Sequence, residues 1–323
     1  MSSATSNAPD IDLSIVIPAR NEAEGIAELL RRTAAEVGHL GKSFEIIVVD
    51  DGSADRSFEI VSAMATGDSR IRVLQLRRNF GQTAAMVAGF DHARGRVVVP
   101  MDGDGQNDPA DIGALLAKLE QGYDVVSGWR KDRRDAEFGR RLPSALANRL
   151  ISWATGVTLN DYGCTLKAYR RDVLKGIRLY GEMHRFIPVY ASWEGARIAE
   201  IEVRHHPRAH GRSNYGFERT IKIVLDLLVL LFLERYAAKP IYVFGGFGLA
   251  SIAAAFLAGG YAVYLKYFQD RSFITTPLPL ITIFLFAIGI TALLTGLLAE
   301  MIMRTYHESQ GKPPYSVKSK VNL

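Results

Sequence analysis

The 323-residue chain carries a single cysteine, Cys164, so it can form no internal disulfide. This fits a reducing compartment for its soluble part. No apolar run of signal-peptide type opens the sequence, because residues 1–10 are small and polar. They read as a loose tail, and the soluble part is expected not to be exported. There is no P-loop and no Gly-x-Ser-x-Gly turn, which removes two common frameworks for phosphate and acyl chemistry. Internal repeats and long low-complexity tracts are also missing.

Positive charge is in excess. The formal net charge is +5 and the pI is near 9.2, which suits anionic partners. Nucleic acid, a membrane surface and phosphorylated substrates all qualify. The apolar segments of the last third favour the second and third, and no nucleic-acid partner is expected.

Short apolar runs at residues 13–17, 44–49, 71–76, 97–101 and 123–127 read as buried strands. Helical spacing falls between them, at 22–37, 57–64, 82–94 and 111–120, with Ile26, Leu29, Leu30 and Thr33 sharing one face of the first helix. Alternation of strands and helices predicts an α/β fold with a mostly parallel sheet. In such sheets ligands sit at the carboxyl ends of strands. Three polar clusters fall there: Pro18 to Glu22, Asp50 to Ser53 and Asp102 to Gln106.

Residues 218–235 combine the apolar run 227–233 with Lys222 and Asp226. The segment is too short and charged to span, so an interfacial helix is expected, with a core helix of the soluble domain as the alternative. Residues 241–264 and 278–303 are each long enough to cross a bilayer, and a short connection joins them. Gly246-Phe247-Gly248 lies inside the first, so it reads as a helix-packing element. Arg235 and Lys239 precede the hairpin, and Arg304, Lys312, Lys318 and Lys320 follow it. That excess of basic residues predicts both termini in the cytoplasm.

The sharpest chemical signal is Asp102-Gly103-Asp104-Gly105-Gln106, directly after a strand. Two carboxylates one residue apart can share a hard cation, Mg²⁺ or Mn²⁺, and leave positions for phosphate oxygens. Such an ion would neutralise charge developing on a diphosphate leaving group. A solvated turn is the alternative for this loop. An EF-hand loop is excluded, because Asn107 and Gly113 stand where glycine and glutamate are required. Asp50 and Asp51 can accept hydrogen bonds from a base or ribose, while Ser53 or Asp55 can cap the next helix. Asn21 and Glu22 read equally as a cap and a first-turn acid. Basic residues gather at Arg130, Lys131, Arg133, Arg134, Arg140 and Arg141, and again at Arg204, Arg208, Arg212 and Arg219. Most read as a solvated or lipid-facing surface, with one or two available to grip a phosphate. His205, His206 and His210 have poor spacing for zinc, and no acid lies among them.

Pro18-Ala19-Arg20-Asn21-Glu22, Val49-Asp50-Asp51-Gly52-Ser53-Ala54-Asp55 and the Asp102 to Gln106 block resemble, in order and spacing, the signature blocks of family 2 glycosyltransferases. Ser127-Gly128-Trp129-Arg130, Asp161-Tyr162-Gly163-Cys164 and Arg208-Ala209-His210-Gly211-Arg212-Ser213-Asn214 narrow the likeness to the polyprenyl-phosphate type. Dolichyl-phosphate mannose synthase and bacterial undecaprenyl-phosphate sugar transferases are of that type.

The resemblance implies a GT-A type sheet flanked by helices, then an interfacial helix and a two-helix transmembrane hairpin. The divisions are a tail at 1–10, a catalytic domain at 11–217, an interfacial helix and linker at 218–240, a hairpin at 241–303 and a basic cytoplasmic tail at 304–323. It implies inverting transfer from a UDP- or GDP-linked sugar to polyprenyl (undecaprenyl) phosphate at the inner, cytoplasmic membrane. Pro18, Arg20, Glu22, Asp50, Asp51 and Asp102 would line the nucleotide pocket. Asp102, Asp104 and Gln106 would hold the metal. Arg130, Arg208 and Ser213 would meet the acceptor phosphate. Asp161 is the best candidate if a base is used and reads equally as a turn or cap residue, and the catalytic set is Asp102, Asp104, Asp161, Arg130 and Arg208. Two residues depart from the pattern: Arg20 stands where many members have tyrosine, and Asn214 where lysine is common. The prenyl tail is expected in the membrane beside residues 227–233 and the hairpin. A homo-oligomer is compatible with these features. The alternatives are a membrane-bound polysaccharide synthase, although no Gln-x-x-Arg-Trp motif is present, and a non-catalytic nucleotide-sugar sensor.

Overall fold

The computed structural model describes residues 11–131, 148–149, 151–152, 155–175, 177, 179, 183–207, 241–309 and 314–323. The chain divides into two units, residues 1–226 with 313–323, and residues 227–312.

The first unit is built on one sheet. Its strands are β1 (Leu13–Ala19), β2 (Phe44–Asp50), β3 (Ile71–Leu76), β4 (Val97–Pro100), β5 (Val125–Trp129), β6 (Lys167–Arg170), β7 (Ile198–Glu202) and β8 (Val317–Val321). Their order across the sheet is β7-β5-β6-β4-β1-β2-β3-β8. β1 pairs parallel with β2 and β4, β2 with β3, and β5 with β7; β6 and β8 run antiparallel to their neighbours. Helices α1 (Ile26–Gly38), α2 (Ser57–Gly67), α3 (Gln82–His92) and α4 (Ile112–Glu120) make the connections through β5. Two shorter helices follow, α5 (Arg171–Leu174) and α6 (Ile187–Trp193).

β1 and β2 are buried along their whole length. Their runs of Ile and Val suit a strand covered on both faces. One apolar layer joins Ile15, Ile17, Ile46 and Val48 to Leu29, Leu30, Leu115 and Leu119. A second joins Val16, Ile47 and Val49 to Ala85 and Ala88 of α3. The predicted face of α1 is buried, with Val37 added. That helix begins at Ile26 and not at 22, because Glu22 and Ala23 give their N–H groups to Ser57 Oγ (2.8 Å) and Asp55 Oδ2 (3.1 Å).

The last strand corrects the expectation of a basic tail. Residues 317–321 pair with β3, and the edge is fastened further: Asn322 Nδ2 donates to the carbonyls of Ala65 (2.7 Å) and Ile71 (2.9 Å).

The second unit contains α7 (Ile241–Phe268) and α8 (Leu278–Ser309). Within them, Phe244–Phe268 and Leu278–Ala299 have mean hydropathies of 1.6 and 2.4 and are long enough to cross a membrane. A Cβ on Gly248 would lie 2.7 Å from the carbonyl oxygen of Gly289, and one on Gly289 would lie as close to that of Gly248. These glycines let the helix backbones touch, whereas nothing approaches Gly246 within 4 Å. Phe256, Leu257 and Leu280 remain exposed, as suits a lipid-facing surface. The expected interfacial helix at 218–235 and the tail at 1–10 lie outside the described residues.

Candidate active site at the carboxyl ends of the central strands

β1 lies between β2 and β4, so the order of the sheet reverses there, and such a reversal opens a crevice at the carboxyl ends of the strands. The loops after β1, β2 and β4 carry the three polar clusters.

The first two loops are stitched together. Asn21, at φ 56°, donates its N–H to Ser53 Oγ (3.0 Å), and its side-chain oxygen accepts from Ala54 N–H (2.8 Å). Asn21 therefore joins loops and does not cap α1. Asp51 Oδ1 accepts from Phe80 N–H (2.7 Å) and its Oδ2 from Gly81 N–H (3.0 Å), which brings in the loop before α3. Gly52 makes this approach possible: at φ +65°, its Cβ would fall 2.5 Å from the carbonyl carbon of Arg78. Burial raises the Asp51 pKa, opposed by those two amides and the charge of Arg20. Asp50 is also raised by burial, with Ser53 and Gln75 pulling the other way, and its buried Oδ2 lacks a hydrogen-bond partner. Arg20 is exposed at the rim.

The third loop carries the acids. Gly103 packs so near β1 that a Cβ would lie 3.0 Å from the Pro18 carbonyl oxygen. Asp102 N–H donates to Asn107 Oδ1 (3.0 Å), and Asp104 Oδ1 accepts from Gln106 N–H (3.1 Å). Gln82 Nε2 donates to Asp102 Oδ1 at 2.7 Å. The Asp102 pKa rises to about 6, through burial first and then the charge of Asp104, while the Thr165 hydroxyl, Arg130 and Arg185 pull it down.

Arg130 directly follows β5, and Asp161 holds it. Nε donates to Asp161 Oδ2 (2.7 Å) and Nη2 to Oδ1 (3.0 Å), with both side chains largely buried. Asp161 Oδ1 also accepts Gly163 N–H at 3.0 Å. The pair raises the Arg130 pKa against its burial. A Cβ on Gly163 would sit 3.2 Å from Arg130 Nη2 and 4.0 Å from Arg185 Nη1, so two guanidinium groups flank this glycine.

Three contributors escape a reading of the sequence. Gln82 looked like an ordinary first residue of a helix, although Gly81 before it marks the turn. Thr165 directly follows the quoted Asp161 to Cys164 motif. Arg185 has no local signal, and only the fold brings it to Gly163. Arg204 lies on the expected solvated surface, its side chain 58% exposed, and there its Nε donates to Asp111 Oδ1 (2.9 Å) and a terminal nitrogen pairs with Asp108 Oδ2 (3.3 Å). His206 Nε2 meets the same Asp108 oxygen at 3.0 Å, and Asn107 forms an isolated bridge with His205. Arg208, Ser213 and His210 lie outside the described residues, as do Arg133, Arg134, Arg140 and Arg141.

The donor set fits a hard divalent ion. Among the described residues no group of three His, Cys, Asp or Glu side chains converges. Asp102 and Asp104 do share one loop, and the charge of Asp104 adds to burial in raising the Asp102 pKa. A Mg²⁺-type ion needs only one or two carboxylates when water and phosphate oxygens complete its shell.

Comparison with known proteins shows the family and the fold. Residues 14–178 match the family described as glycosyl transferase family 2. Dodecaprenyl-phosphate galacturonate synthase of Rhizobium johnstonii is 43% identical over 314 residues, covering 95% of this chain and 92% of the relative. Undecaprenyl-phosphate 4-deoxy-4-formamido-L-arabinose transferase of Shewanella sediminis is 39% identical over 308 residues, covering 95% of this chain and 91% of the relative. In fold, the chain is similar to glucosyl-3-phosphoglycerate synthase of Mycobacterium tuberculosis, solved with Mn²⁺, UDP and phosphoglyceric acid. That match has a TM-score of 0.53 at 19% identity, over 70% of this chain and 78% of the other.

Proposed function

The chain belongs to glycosyl transferase family 2, and we propose that it moves a sugar from a nucleotide donor onto a polyprenyl phosphate at the cytoplasmic face of a membrane. The observation that carries this reading is the acid pair Asp102 and Asp104 at the sheet reversal, facing Arg130, in a chain whose relatives load sugars onto polyprenyl phosphates.

Asp102 and Asp104 would hold Mg²⁺ or Mn²⁺, with Gln106 beside them. The ion would neutralise the diphosphate as it leaves. Pro18, Arg20, Glu22, Asp50 and Asp51 would surround the nucleoside. Asp51 acts there chiefly through the 80–81 loop that its two oxygens fasten. Asp50, at the end of β2, is held there by Ser53 N–H, which donates to its Oδ1 at 3.3 Å.

An acceptor phosphate is mostly ionised near neutral pH, because its second pKa is about 6. It attacks the anomeric carbon directly and inverts it, so no strong base is required. This suits Asp161, whose oxygens are taken by Arg130 and Gly163. We read Asp161 as the residue that aims Arg130. Arg130, with Arg185 across Gly163, lowers the cost of bringing two anions together. Arg208 and Ser213 complete the proposed acceptor set. Two relatives that differ in sugar, a uronate and an amidated pentose, give the first donors to screen.

The test is lipid-dependent release of nucleoside diphosphate in detergent. Chelator should abolish it, and added Mg²⁺ or Mn²⁺ should restore it. Asp104→Asn should cut the rate by at least roughly a hundredfold, in the range seen for loss of electrostatic stabilisation, with the fold kept. Full activity in chelator would remove the metal from the mechanism.

A further inference from the structure

Lys167 is 2% exposed, and the reaction described above makes no use of it. It opens β6, between β5 and β4. A buried ammonium is costly unless acceptors surround it. Burial does push its pKa down, opposed by the nearby Cys164 and Asp161. Its Nζ donates to the carbonyl oxygen of Tyr162 at 3.3 Å and to that of Cys164. Both carbonyls belong to the turn 161–165.

That turn carries site groups at both ends. Asp161 holds Arg130, and the Thr165 hydroxyl bonds to Asp102. Gly163 in its middle leaves room for the two arginines. The turn presses closely on β5, since a Cβ on Gly128 would lie 2.7 Å from the Leu166 carbonyl oxygen and 3.1 Å from Cys164 Sγ. An apolar side chain could fill the volume of Lys167, but nothing else on β6 could draw two carbonyls of one turn together.

We propose that Lys167 is a positioning residue for sugar transfer: its ammonium gathers the Tyr162 and Cys164 carbonyls, so that Asp161 aims Arg130 and Thr165 braces Asp102. This rests on the functional reading given above. Lys167 touches neither donor nor acceptor. Its loss should disturb the groups that meet developing charge and spare the nucleoside pocket, which is built on the β1 and β2 loops.

The experiment is a double-mutant cycle on the full-length protein in detergent, with Lys167→Met, Asp161→Asn and the combined variant. Lys167→Met should lower kcat by at least about tenfold while the KM for donor changes by less than about threefold, the pattern of an interaction made mainly in the transition state. The combined variant should fall no more than about twofold below the weaker single one, because the two residues act as a unit. Lys167→Gln keeps a donor and should recover part of the rate. An unchanged kcat, or losses that multiply, would overturn the proposal. If Lys167→Met does not fold, the cycle is run with Lys167→Gln. Failure of both to fold would assign the lysine to the fold alone and overturn the proposal as well. A wild-type protein without transfer would instead defeat the functional reading, before any variant is compared.

Discussion

Glu45 lies near the amino ends of the strands, away from the acids of the site, and gathers several partners. Ser14 Oγ donates to its Oε1 (2.6 Å), as does Arg94 N–H (2.7 Å), and Arg72 pairs with its other oxygen. Arg72 also donates to the carbonyls of His92 (2.9 Å) and Asn322 (3.2 Å). Burial alone would raise the Glu45 pKa, but Ser14, Arg94 and Arg72 outweigh it, and the pKa falls below the ordinary 4.5. The folded state therefore binds this proton more weakly than the unfolded chain. The stabilisation is complete above pH 4.5 and is lost as pH falls through the lower folded value. Removing one partner of a buried pair costs roughly 3–5 kcal/mol, so Glu45→Gln should unfold at clearly lower temperature at pH 7. The gap to wild type should narrow under acid, and an equal gap at pH 7 and pH 4 would contradict this account. Such residues are opaque to sequence because their partners are remote in the chain. Asp102 and Asp104 were legible because both sit on one loop, whereas the Arg130–Asp161 pair spans 31 residues and only the fold closes it.

At the scale of elements, β1 to β5 were legible because apolar residues dominate each, with only a few polar ones such as Ser14, Glu45 and Arg72 among them. β6 and β7 are short and carry charge, and β8 reads Val317-Lys318-Ser319-Lys320-Val321. The alternation in β8 is that of an edge strand, with lysines outward and Val321 against the core. The lysines looked like the basic flank of a membrane segment, and this hid the period of two. Deleting residues 314–323 would expose the β3 edge and leave Arg72 without the Asn322 carbonyl. The truncated protein should therefore lose several degrees in Tm. Asn322→Ala, which forfeits two hydrogen bonds, should cost about 1–3 kcal/mol. A truncation that melts with wild type would show that β8 is an ornament of the edge.

At the scale of the molecule, strands of one sheet come from both sides of the apolar pair, β7 before α7 and β8 after α8. If both helices cross the membrane, the chain enters and leaves on the same side, as the basic flanks also require. Reporters at each terminus should read cytoplasmic, and a tag between residues 269 and 277 should read external. The reverse labelling would put the acids on the side without nucleotide sugars.

The central claim is a single transfer onto a lipid phosphate. The measurement that bears on it most directly is mass spectrometry of the lipid extract after purified protein is mixed with undecaprenyl phosphate and the donor panel. The account predicts one species heavier by one sugar residue, formed mole for mole with nucleoside diphosphate and absent with Asp104→Asn. A polymer of sugars, or bound donor with no glycosylated lipid from any member of the panel, would contradict it.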